Sequence, residues 1–140
     1  MYNTVHMRYF VVCILCALSL SSFAASPSYY EEALQSYEDK KFELSIKYLE
    51  KNIVFNPKSS VSYILLGKSY AALENREKAN KYYRIAYSLV PENIELNYLL
   101  GESSFHLDLI EEYGEYLSNL EILCSGQCDE IDKLKKLSIE

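Results

Sequence analysis

Tryptophan is absent from the chain, and only 4 glycines and 3 prolines punctuate its 140 residues. A sandwich or barrel of many strands would need far more turn residues, so the scarcity favours long helices. No basic cluster is larger than Lys133, Lys135 and Lys136, which read as the last turns of a helix. With a formal charge of −6 and a pI near 5.0, the chain lacks the cationic face that phosphate binding needs, so no nucleic acid is expected among its partners. Histidine occurs only at His6 and His106, and neither a Gly-rich phosphate loop nor a metal-ligand box is present. The adjacent carboxylates Glu31-Glu32 and Glu111-Glu112 would diverge by about 100° on a helix and read as solvated faces. The expected function is therefore non-catalytic, with no cofactor and no metal.

What is present describes a folded chain with an address at its start. Apolar residues make up 49% and charged residues 24%, enough for one compact core and too apolar for disorder. Arg8 precedes an apolar run from Tyr9 to Leu20, and the small residues Ser22 and Ala24 precede a cut after Ala24. Residues 1–24 are thus predicted to be a cleaved signal peptide, and residues 25–140 the exported domain, periplasmic or secreted. The alternative, an uncleaved anchor, has an apolar stretch of about 15 residues where a spanning helix needs roughly 20. No membrane insertion is expected after cleavage. Met7 would itself make a conventional start. Cys13 and Cys16 leave with the signal, so their spacing carries no metal or redox reading, and Cys124 and Cys128 remain in a compartment that permits disulfides.

A repeat organises the rest. Pro57 and Pro91 lie 34 residues apart, each closing a similar phrase, Val54-Phe55-Asn56-Pro57 and Ser88-Leu89-Val90-Pro91. The unit 60–93 carries Tyr63, Leu66-Gly67, Tyr70, Ala79, Tyr83, Ala86 and Pro91. Small residues at Gly67 and Ala79 let two helices cross closely, and Pro91 cannot continue a helix. This phrase closely resembles the signature of the tetratricopeptide-repeat (TPR) family, in its small exported bacterial form. The resemblance implies an all-α, right-handed solenoid of about three helix-turn-helix units, at 26–58, 60–93 and 94–127, with a capping helix at 129–140. Unit one is a weaker copy: Asn52 replaces Ala86, implying looser packing or a side-chain hydrogen bond. Unit three puts Tyr113 where Ala79 stands, so its helix pair is expected to be splayed or shifted.

In this family the first helices of successive repeats line a concave groove. Carried onto this sequence, the groove would present Tyr30, Leu34, Tyr37 and Glu38, then Ile64, Lys68 and Ala71-Ala72, then Tyr98, Glu102, Phe105 and His106. Such a row suits a protein segment with apolar side chains; alternatively, some of these residues, Tyr37 and Phe105 above all, belong to the inter-helix core. The family's carboxylate-gripping variant uses cations and asparagines where this chain has Tyr30, Leu34, Leu65, Glu95 and Leu99, so that specificity is not expected. The resemblance supports a structural disulfide between Cys124 and Cys128, against a metal site that would need four ligands. The expected function is a protein-binding adaptor or scaffold of the cell envelope, with a self-associating structural component, hence a homo-oligomer, as the alternative.

Overall fold

The computed structural model describes residues 28–139; the segment read as a signal peptide lies outside them. Seven helices follow one another: α1 (Tyr29–Glu38), α2 (Phe42–Phe55), α3 (Ser60–Ala72), α4 (Arg76–Tyr87), α5 (Ile94–His106), α6 (Ile110–Leu123) and α7 (Asp129–Leu137). No strand occurs among the described residues. Helices α1 to α6 pack chiefly on their sequence neighbours, α1 on α2, α3 on α4 and α5 on α6, with α2 meeting α3 and α4 meeting α5. That is the arrangement of a solenoid, in which contacts stay local to one repeat and the next.

Local chemistry starts and stops the helices. Ser28 and Glu31 form a capping box, the Glu31 amide donating to Ser28 Oγ at 3.2 Å and the Ser28 amide to Glu31 Oε2 at 2.8 Å. Asn75 and Asn93 cap α4 and α5 by accepting from the amides of Lys78 and Leu96. The turn inside each pair repeats with the sequence period: Lys40, Glu74 and Asp108 all take a positive φ of 58–59°. The next amide then reaches back to the helix in the same way each time, Lys41 to Ser36 O, Asn75 to Tyr70 O and Leu109 to Ser104 O. This is the Schellman closure of a helix end, made here without glycine, at a modest cost in backbone strain at each turn.

Three apolar clusters run along the solenoid. The first joins Ala33, Ile46, Leu49, Leu65 and Leu66, the second is built around Tyr83, Ala86, Leu96, Leu100 and Tyr116, and the third holds Leu120, Ile131 and Leu134. Each fully buried leucine contributes about 1.5–3 kcal/mol. A Cβ on Gly67 would sit 2.2 Å from the Tyr83 ring, so this glycine makes room for Tyr83 rather than for a backbone crossing at Ala79. Tyr70 is half-buried, packs against both the first and the second cluster, and stacks on Tyr82 at 5.4 Å.

The third pair is not splayed. Its α5 and α6 pack as the first pair does. Leu117 stands where Tyr83 would be, and the space over Gly101 is taken by Leu134 of α7, whose Cδ2 lies 2.6 Å from the position of a Cβ there. Tyr113 donates its hydroxyl to Leu134 O at 3.1 Å. The capping helix thus leans mainly on α5, and less on α6, and absorbs the departure. Cys124 and Cys128 are paired at disulfide distance across the α6–α7 turn, with Cα atoms 5.7 Å apart.

Candidate functional site

The concave face is built by α1, α3 and α5, and the fold sorts the expected groove residues into three kinds. Leu34, Glu38, Ala71, Ala72 and His106 are exposed. Tyr30, Tyr37, Tyr98, Glu102 and Phe105 are half-buried. Ile64, at 8% exposure, belongs to the core and not to the groove surface. Tyr37 packs edge-on against Phe42 at 5.4 Å, and Phe105 lies against Tyr113 at 5.5 Å, so both rings close gaps within their own repeat.

Lys68 is ion-paired with Glu95 of the next repeat and keeps 29% of its side chain exposed. A partly exposed pair of this kind adds little stability but fixes the two side chains across the groove floor. Tyr98 donates its hydroxyl to Glu102 at 2.8 Å and packs beside the α7 cluster. Burial, then the Glu102 carboxylate, push its phenol up to about 12, so it stays a donor at neutral pH. Tyr98 therefore ties the groove to the cap.

Between α3, α4 and α5 the groove deepens into a cleft of about 190 Å³. Ala71, Ala79, Tyr83 and Leu99 form its apolar walls, with Arg76, Glu102 and His106 around them. Ser103 lines the same cleft, is 7% exposed, and its hydroxyl has no hydrogen-bond partner. Arg76, Leu99 and Ser103 were not among the expected groove residues. The signal that could have found them is columnar: reading the sequence at its own period shows which repeat carries a small residue where the others carry large ones. Among the described residues no group of three or more His, Cys, Asp or Glu could hold a metal ion, and no helix is long and apolar enough to cross a membrane.

No protein-family model matches the sequence, and no curated protein matches it. Solved structures do. The second TPR domain of human RPAP3, determined in complex with an HSP70 peptide, superposes with a TM-score of 0.72 at 16% identity, over 79% of this chain and 92% of that one. The Sgt2 TPR domain from Aspergillus fumigatus gives 0.71 at 17% identity, over 84% and 82%. MamA from Desulfovibrio magneticus RS-1 gives 0.66 at 24% identity, over 84% of this chain and 65% of that chain. The helix order, the 34-residue recurrence of the turns and these superpositions agree: by its fold the chain is a tetratricopeptide-repeat solenoid of three helix pairs and a capping helix.

Proposed function

We propose that the chain is an exported, non-catalytic adaptor that holds a segment of another protein in its concave groove. The observation that carries this reading is the groove itself: exposed Leu34, Ala71 and Ala72 beside the Lys68–Glu95 pair, with a cleft opening between α3 and α5. Apolar side chains flanked by fixed charges are what an extended segment needs for affinity and register. RPAP3 domains of this fold were solved with HSP90 and HSP70 peptides, which supports a protein segment as the ligand class. Export rests on residues 1–24, with Arg8 before the apolar run and Ala24 at the cut.

Crosslinking pull-down from the cell envelope, beside a Leu34→Asp/Lys68→Ala variant, tests it. Neither position is a member of an apolar cluster, whereas Tyr98 packs beside that of the cap. One protein captured by wild type and lost with the variant supports the groove; identical captures from both would remove it.

Self-association is the second reading, favoured by one corner of the solenoid. There Val54 is 75% exposed, Phe55 70% and Val61 51%. Such a patch between polar residues is a candidate for burial against another copy. Light scattering decides: a monomer mass at every concentration ends this reading.

A further inference from the structure

The cleft beside Ala71 exists because the middle repeat lacks a plug that the other two carry. At the repeat period, Ala71 corresponds to Tyr37 in the first unit and Phe105 in the third, and Arg76 corresponds to Phe42 and Ile110. In the first unit the Tyr37 and Phe42 rings pack together at 5.4 Å. In the third, Phe105 packs on Tyr113 at 5.5 Å. Only the middle unit has a methyl group and a guanidinium there, and there the cleft of about 190 Å³ opens.

We propose that this cleft receives an aromatic side chain from the bound protein segment, which completes the row Tyr37–ligand–Phe105 along the groove. The inference rests on the groove reading above and names its central subsite. The same columns beside the same turn hold aromatic rings in the other two units, which says what shape and chemistry fit. The walls Ala71, Ala79, Tyr83 and Leu99 supply apolar contact, and Arg76 lies where a guanidinium can cover the ring face.

The test uses the full chain and two probes, p-cresol and tert-butanol, followed by amide chemical shifts. It adds selection from a displayed random-peptide library. The main variant is Ala71→Tyr/Arg76→Phe, which copies the first unit's plug. Arg76→Ala, on the exposed rim, serves where that variant fails to fold. The expected result is that p-cresol, and not tert-butanol, shifts Ala71, Ala79, Leu99 and Ser103. Selected peptides should share a Tyr or Phe, and bind the plugged variant about tenfold more weakly or worse, and Arg76→Ala about 2–5-fold more weakly. Peptides that lack a common aromatic, or bind the plugged variant and Arg76→Ala like wild type, overturn the subsite and leave the groove reading standing. Equal shifts from tert-butanol overturn the aromatic preference. If p-cresol binds but no peptide is selected, both the segment reading and this proposal fall. If neither binds, both fall as well.

Discussion

Where the first and second repeats meet, hydroxyls and an amide stand beside the apolar contacts of Leu49 and Leu65; where the second and third meet, the same columns hold mostly methyl groups. Ser45, Asn52, Ser62 and Ser69 stand at the first junction, and Ala79, Ala86, Leu96 and Ser103 occupy the same columns at the second. At the first, Asn52 Nδ2 donates to Ser62 Oγ at 2.8 Å, and the Ser69 hydroxyl donates to Leu65 O at 2.8 Å and lies 3.3 Å from Ser45 Oγ. At the second, Ala86, Leu96 and Leu100 close the space by contact, and buried polar atoms of Asn80, Asn97, Ser103 and Ser104 have no partner. The repeat period thus fixes where helices meet but not the chemistry of meeting. A polar junction serves as well as an apolar one when its donors and acceptors are satisfied.

The third junction breaks the comparison furthest, because a cap replaces a repeat. Leu134→Ala is expected to have the largest effect, about 2–5 kcal/mol, since a fully buried leucine is lost and the Gly101 crevice opens. Denaturant unfolding gives the magnitude, and hydrogen exchange in α7 and along α5 should rise before that in α1 and α2. Unchanged exchange in α5 would show that the cap is not what seals it. Next comes Gly67→Ala, about 1–3 kcal/mol destabilising, because the new methyl collides with the buried Tyr83 ring. Gly101→Ala meets only the tip of Leu134 on a short terminal helix and should cost less. Equal melting shifts for the two glycines would erase the distinction between a repeat interior and a cap.

The first junction can be converted into the second. Asn52→Ala alone should cost about 1–2 kcal/mol, as the buried Ser62 hydroxyl loses its donor and keeps only Ser59. The double change Asn52→Ala/Ser62→Leu copies Ala86 and Leu96, and should recover most of that loss. A double-mutant cycle that gives no coupling would mean the hydrogen bond does not matter to the junction.

The repeat units were legible because close packing imposes residue types at fixed spacing: Gly67, Tyr83 and Pro91 are readable without coordinates. The side-chain bond expected at Asn52 is there. Less legible was anything that depends on the superhelix. The pairing of Lys68 with Glu95, the burial of Ile64 and the swing of α7 onto α5 arise between repeats, where the sequence alone gives no angle. The left-handed turns at Lys40 and Glu74 were hidden too, since neither residue favours a positive φ; only Asp108 is of a type that does. The cleft was present in the columns Tyr37, Ala71 and Phe105, but an alignment for similarity looks past a position that differs.

The smallest expected effect is the sharpest probe of the second junction. Ser103 stands in the column of Ser69, yet its hydroxyl finds no partner where that of Ser69 bonds to Leu65 O and Ser45. Removing a buried hydroxyl that has lost water and gained nothing should stabilise, and alanine is also the better helix former. Ser103→Ala is therefore expected to raise stability by about 0.5 kcal/mol, while Ser69→Ala should lower it by about 1 kcal/mol. The opposite signs follow from two differences: Ser69 bonds back to Leu65 O where Ser103 makes no such bond, and Ser69 faces a hydroxyl at Ser45 where Ser103 faces a methyl at Ala79. If Ser103→Ala instead destabilises as Ser69→Ala does, the hydroxyl has a partner in solution, a bound water in the cleft being the simplest, and the two junctions are chemically alike after all.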